Sequence, residues 1–338
     1  MHAYIVAFTV GLLVCYMITP SVMRLASKLG AIDQPDVRKV HKVPVPRMGG
    51  LAIYAGFIVA VLASMHVNRE IAGLLLGGTF IVILGILDDI YQLPARVKLL
   101  GQIIAASVLV LFDIRIEWLT YPGSGGYFYM DNLSIPITII WVVSMTNALN
   151  LIDGLDGLAA GVSIIASLTV CIVAIQNSFY PVAIMTAALS GATFAFMRYN
   201  FNPASIFMGD TGSMFLGYML ASISVLGVVK SAAAIALFVP TIALGLPIID
   251  TCFAIFRRYS NGKPIFKPDK GHLHHRLLAL GMSQRQAVML MYMITIALSA
   301  SALLFTGSNR LLGMVVTGVV IAAVFVGAKK IGILNDIQ

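Results

Sequence analysis

The chain has 338 residues, 59% of them hydrophobic and only 11% charged, with a mean hydropathy of +0.94 and a formal charge of +8. Repeated windows of roughly 18 or more apolar residues exclude a soluble multidomain protein and point to an all-α, polytopic membrane protein. The positive charge lies in short loops between apolar runs, where it reports orientation rather than nucleic-acid binding, and three cysteines scattered through apolar runs (Cys15, Cys171, Cys252) exclude a disulfide framework.

In chain order, the first apolar run, Ala3 to Thr19, has almost no positive charge ahead of it and no small-residue cleavage site, so it reads as a retained helix rather than a signal peptide. Further spans are predicted near 48–66, 70–87, 98–112, 133–149, 158–176, 180–197, 212–229, 231–255, 287–305 and 310–328, about eleven in all, within one domain over 1–338. Alternate loops divide the 22 Lys and Arg as 18 to 4, only Arg69, Arg115, Lys230 and Arg310 falling on the second side. That asymmetry predicts an external N-terminus, a cytoplasmic C-terminus and a cytoplasmic active site, because Asp33, Asp36, Asp88, Asp89, Asp153, Asp156, Asp210 and Asp269 fall on the basic side. On the other side, Pro122 to Gly126 within an aromatic stretch predicts a short external hairpin at interface depth.

Five segments on the basic side carry chemistry. RKVHKVPVPRMGG, Arg38 to Gly50, supplies cations, a histidine and prolines, which is also what an ordinary positive loop would contain. In LGILDDIYQLPARVK, Asp88 and Asp89 close an apolar helix, where the macrodipole opposes carboxylates; a metal, a general base or a compensating cation would explain them. NALNLIDGLDGLAAG places Asn147, Asn150, Asp153 and Asp156 three residues apart. An α-helix slips about 60° per such step, so the four cannot share one face, and a helix is predicted to end near Asp153 with a polar loop after it. This loop is not a calcium hand, since the twelfth position holds Ile164. YNFNPASIFMGDTGS sets Asp210 between Gly209 and Thr211, with the hydroxyls of Thr211 and Ser213 available for phosphate or metal-bound water. Last, GHLHHRL carries His272, His274, His275 and Arg276; three histidines suit zinc, while the surrounding Lys and Arg favour an anion or a sugar. Isolated carboxylates suited to Mg²⁺, together with excess cations and no Walker A sequence, argue for phosphoryl transfer at a membrane surface.

In RKVHKVPVPRMGG, LGILDD, NALNLIDGLDGLAAG, FMGDTGS and HLHHRL, in that order, the chain resembles the polyprenyl-phosphate N-acetylhexosamine-1-phosphate transferases. The split HLHHRL is similar to the branch using UDP-N-acetylglucosamine, including enzymes that begin wall teichoic acid linkage units and O-antigen. The resemblance implies direct attack of undecaprenyl phosphate on the nucleotide sugar, with release of UMP. It further implies Mg²⁺, with Mn²⁺ as a substitute, held by Asp210; Asp88 acting on the lipid phosphate with support from Asp89; and Asp153, Asp156, Asn200 and Phe207 lining the nucleotide pocket beside Asn147 and Asn150. Lys39, His41, Arg47, His272, His274, His275 and Arg276 are implied to hold phosphates or sugar. The implied partners are UDP-N-acetylglucosamine, undecaprenyl phosphate and the lipid bilayer of the bacterial plasma membrane, with a homodimer admitted. A secondary transporter and a zinc-dependent membrane hydrolase are the alternatives from other classes, and internal symmetry, expected of the former, is not evident.

Overall fold

Each of the apolar runs forms helix in the computed structural model, which describes residues 3–35, 43–120, 127–231, 235–262, 271–306, 310–330 and 332. In order these are α1 (Ala3–Lys28), α2 (Gly50–Ser64), α3 (Arg69–Tyr91), α4 (Ala95–Leu111), α5 (Ser134–Ile152), α6 (Leu158–Gln176), α7 (Tyr180–Asn200) and α8 (Gly209–Ser231). They are followed by α9 (Ile235–Ala243), α10 (Gly245–Ser260), the short α11 (Leu273–Ala279), α12 (Gln284–Thr306) and α13 (Arg310–Lys330). By length and apolarity, α1, α3, α5, α6, α7, α12 and α13 can each cross a membrane. The chain is therefore a polytopic helical protein.

The expected span at 231–255 is broken: α9 and α10 meet at 71°, with Leu244 at φ −94° and ψ 15° between Pro240 and Gly245. At 15 and 17 residues, α2 and α4 extend only about 22–26 Å, less than the roughly 30 Å of a hydrocarbon core.

Local signals explain the ends. Asn68 caps α3 by accepting from the Ile71 N–H at 2.9 Å, and α3 stops where Gln92 turns left-handed and donates its N–H to the Asp88 carbonyl. The next helix follows Pro94 directly. Two strand pairs lie among the described residues. The first, β1 (Ile32–Asp33) with β2 (Val45–Pro46), leads into backbone pairing of 46–50 with Phe207 and Met208. The second, β3 (Trp118–Thr120) with β4 (Tyr127–Tyr129), flanks the predicted hairpin turn. The turn itself lies outside the described residues, as do Lys39 and His41.

The axis of the bundle is α8, buried all round from Thr211 to Gly227, as an apolar helix with no solvent face must be. Close approach through small residues seats it: a Cβ on Gly85 of α3 would lie 2.4 Å from Thr211 Cα, and one on Gly217 would lie 2.6 Å from Thr146 Cα of α5. Such contacts replace the hydrophobic driving force that is missing between helices in lipid. Outside, Leu76, Ile83, Leu111, Ile140, Met293 and Leu311 stay exposed, which is the surface that lipid requires.

Candidate active site

The polar segments meet where the C-terminal ends of α3, α5 and α7 face the N-terminal ends of α4, α8 and α12. There they enclose a cavity of about 300 Å³, whose walls include Asn150, Asp153, Asp156, Asn200, Asp210 and His275. Arg47, Phe207 and Asp89 border the same space, together with Asp33 and Gln284. Asp153 caps the end of α5, in agreement with the expected helix end.

Consecutive residues of α3 have opposite roles because one helical step turns the side chain by about 100°. Asp89 faces α8. Its Oδ1 accepts from the Asp210 N–H at 3.0 Å, and its Oδ2 accepts from the Thr211 N–H at 3.1 Å and the Thr211 hydroxyl at 2.6 Å. It is thus a cap supplied by another helix, balancing the positive end of the α8 dipole. Gly209, at φ +71°, permits this approach, since a Cβ there would lie 2.4 Å from Asp89 Oδ2. Arg47 Nε donates to the Asp89 carbonyl at 2.9 Å, tying the basic loop to the same corner.

Asp88 faces the other way. Its Oδ1 accepts from the Leu93 N–H at 2.8 Å, and its Oδ2 lies 3.3 Å from Lys98 Nζ. The same ammonium lies 2.8 Å from Asp210 Oδ2. Lys98, at the start of α4, therefore bridges two carboxylates brought together from α3 and α8. In the sequence Lys98 is one of the 18 cations on the basic side and carries no further signal.

Asp153 differs from both. Among the described residues no donor reaches its carboxylate, and burial pushes it up to about 8, with Asp210, Asp89 and Asp156 adding repulsion. Asp156 accepts from Asn202 Nδ2 at 3.0 Å and the Ala204 N–H at 3.1 Å. Asn200 bonds the Gly157 N–H and the Ile206 carbonyl, so it shapes the pocket wall with both ends of its amide occupied. Asn150 donates to Ser213 Oγ at 2.9 Å. Asn147 pairs instead with Gln102 of α4, donating at 2.6 Å, a bundle contact rather than part of the cavity wall.

The histidine segment divides likewise. His275 borders the cavity. His272 is buried with its Nδ1 2.8 Å from Asp250 Oδ2. His274 is buried between them and wedged against the loop, so that a Cβ on Gly154 would lie 2.2 Å from its Nε2. Burial, reinforced by His275, pushes its imidazole down to about 3. Arg276 follows on α11. Among the described residues, no three His, Cys, Asp or Glu side chains are placed to hold a metal together. The closed tetrahedral shell that structural zinc needs is not built there.

A half-buried carboxylate with no donor among the described residues, a lysine-bridged carboxylate pair and Arg47 on the cavity wall can position a metal ion and phosphate groups. Over residues 71–228, holding Asp88, Asp153 and Asp210, the sequence matches glycosyl transferase family 4. It is also 42% identical over 333 residues to the probable undecaprenyl-phosphate N-acetylglucosaminyl 1-phosphate transferase of Bacillus subtilis, covering 98% of this chain and 93% of that one. The chain belongs to this family. The decaprenyl-phosphate N-acetylglucosaminephosphotransferase of Mycobacterium tuberculosis H37Rv is 36% identical over 92% of this chain and 85% of its own. A phospho-N-acetylmuramoyl-pentapeptide-transferase of Thermoanaerobacter is 32% identical, over 87% and 94%. The family resemblance read from the five motifs is thereby shown across nearly the full length.

Proposed function

We propose that this protein transfers N-acetylglucosamine-1-phosphate from UDP-N-acetylglucosamine to undecaprenyl phosphate on the cytoplasmic face of the plasma membrane. The product, undecaprenyl diphosphate N-acetylglucosamine, would begin a cell-envelope polysaccharide such as wall teichoic acid. The observation that carries this reading is the pairing of Asp88 and Asp210 through Lys98 beside a cavity bordered by Asp153, and the basic loops flanking these helix ends support a cytoplasmic face.

In the reaction, a phosphate oxygen of the lipid forms a bond to the β-phosphorus of the donor. The bond from that phosphorus to the bridging oxygen breaks, and the oxygen leaves with UMP. Once freed from its carboxylates, Lys98, 2.8 Å from Asp210 of the cavity wall, would meet the incoming phosphate. Asp88 orients it, and Asp89 keeps Asp210 and Thr211 at the head of α8. Asp156, Asn150 and His275 border the space for the nucleotide sugar. The residues fit Mg²⁺: Asp210 would offer a hard anionic oxygen, and Asp153 would offer another once the cation displaces its proton, at a cavity with room for water and phosphate. Bound there, Mg²⁺ would neutralise charge on the diphosphate.

Purified protein with radiolabelled UDP-N-acetylglucosamine, Mg²⁺ and undecaprenyl phosphate in detergent should yield labelled lipid and an equal amount of UMP. A panel of UDP-N-acetylhexosamines in the same assay reads the sugar preference. Absence of labelled lipid with every donor would refute the proposal.

A further inference from the structure

The transfer reaction as derived leaves one buried carboxylate without a role. Asp250 lies in α10, the second half of the bent pair, and is 2% exposed. Such burial destabilises an ionised carboxylate unless its oxygens find donors. Both do: Oδ2 lies 2.8 Å from His272 Nδ1, and Oδ1 accepts from the Leu273 N–H at 2.7 Å. Seven residues along, and so on the same face of the helix, Arg257 donates from Nη1 to the Gly271 carbonyl at 3.0 Å. This face of α10 thus grips Gly271, His272 and Leu273 in succession.

What it grips leads to the pocket. The His272 ring lies parallel to that of His274, with 5.8 Å between centroids and 9° between planes, and His274 packs at 4.2 Å on His275. His274 is wedged against Gly154, between Asp153 and Leu155 of the cavity wall, and His275 borders the cavity itself. A shift of His272 would pass through two packed rings to the pocket, because close-packed groups cannot absorb it separately.

We propose that Asp250 is a positioning residue for the transfer reaction: it holds His272 with the proton on Nδ1 and so seats His274 and His275 against the donor pocket. The kinetic part of this inference rests on the function proposed above; the tautomer part does not. A carboxylate only accepts, so His272 Nδ1 must donate to it. An amide in its place can still accept from the Leu273 N–H while turning its NH₂ toward the ring, which moves the ring proton to Nε2. Asp250→Asn therefore separates a tautomer role from a merely structural one.

The test is ¹⁵N NMR of histidine-labelled protein in detergent micelles, with the His272 signal assigned by its loss in His272→Gln. It is combined with steady-state transfer kinetics of wild type, Asp250→Asn, His272→Gln and the double variant. His272 Nδ1 should carry the proton in the wild type and lose it in Asp250→Asn. Asp250→Asn should lower kcat/KM for UDP-N-acetylglucosamine by about tenfold to a hundredfold, the scale of removing a carboxylate behind a functional imidazole. In the His272→Gln background it should cost little more, because the two act as one unit. A wild-type ring with its proton on Nε2 alone overturns the proposal even if no Asp250 variant folds. So do full turnover in Asp250→Asn or losses that simply multiply in the double variant. If no variant, nor the wild type, makes labelled lipid while the tautomer changes as expected, the failure lies in the proposed reaction and not in the contact.

Discussion

The ammonium of Lys98 lies 2.8 Å from Oδ2 of Asp210, across a sequence separation of 112 residues. Its second carboxylate, Asp88, is 3.3 Å away, so one cation balances two anions from different helices. Removing it leaves like charges facing each other in a partly buried corner. Lys98→Gln should lower stability by about 1–3 kcal/mol, the cost of leaving buried charged groups unpaired. Added Mg²⁺ should restore part of that loss by supplying the missing positive charge. Thermal unfolding in detergent, with Mg²⁺ and with chelator, measures both effects. A variant whose melting temperature falls equally in the two conditions would separate Lys98 from the metal region.

Asp89 should behave unlike its neighbour. Its two oxygens receive three donors from the head of α8, and Asn would set an NH₂ against a backbone N–H. Asp89→Asn should cost about 1–3 kcal/mol of stability, whereas Asp88→Asn should leave the melting temperature closer to wild type. Parallel unfolding curves check this, and a reversed order would mean that the capping role is misplaced.

These contrasts mark what the sequence could and could not disclose. Hydropathy located the long apolar helices, with α9 and α10 read as one run and the short α11 not foreseen, because long apolar runs in lipid have no alternative to helix; the polar spacing after Asn147 located the end of α5 near Asp153. The division of labour between Asp88 and Asp89 was hidden: adjacent identical residues differ only in helical angle, and that angle acquires meaning once α8 is seen to pass beside one of them. Lys98 was hidden by its position, since a lysine at a basic helix end also satisfies the orientation rule. Asp250 was visible as an acid inside an apolar run, but its partners lie 22 and 23 residues further on, beyond any local pattern. Asn147 carried the same signal as Asn150, yet the roughly 60° between them is enough to set Asn147 toward Gln102 of α4 and Asn150 toward Ser213 of α8. The bend between α9 and α10 was hidden because both halves are apolar.

Gly154 is tested by the smallest addition. A methyl group there would come within 2.2 Å of His274 Nε2, and the ring is boxed in by His272 and His275. Gly154→Ala should therefore raise the donor KM by about tenfold or more, the scale of a misplaced positioning group, with a smaller change in kcat. Steady-state kinetics against UDP-N-acetylglucosamine checks the split; an unchanged KM would mean that the ring moves without consequence for the pocket.

The buried imidazole of His274 predicts acid sensitivity. Folded, it protonates only near pH 3; unfolded, it does so near 6.5. Between those values the unfolded chain holds a proton that the folded chain lacks, so stability rises with pH there. The stability present above about pH 6.5 is lost as pH falls toward 3. Replacing His274 by Phe should flatten this part of the stability profile, read from melting temperatures at pH 7, 6, 5 and 4. A profile as steep as that of the wild type would assign the acid sensitivity to other groups.

Asp210 is proposed to serve the metal and the nucleotide and Asp88 the acceptor, and calorimetric titration of UDP-N-acetylglucosamine with and without Mg²⁺ into Asp210→Asn and Asp88→Asn separates the two roles. An amide keeps the size of the side chain but removes the hard anionic oxygen that Mg²⁺ prefers. Asp210→Asn should lose the Mg²⁺-dependent part of donor binding along with activity. Asp88→Asn should bind donor with the wild-type response to Mg²⁺ while losing turnover by roughly 10² or more. Equal, metal-responsive binding in the two variants would show that Asp210 does not hold the ion and would transfer it to Asp153 or Asp156.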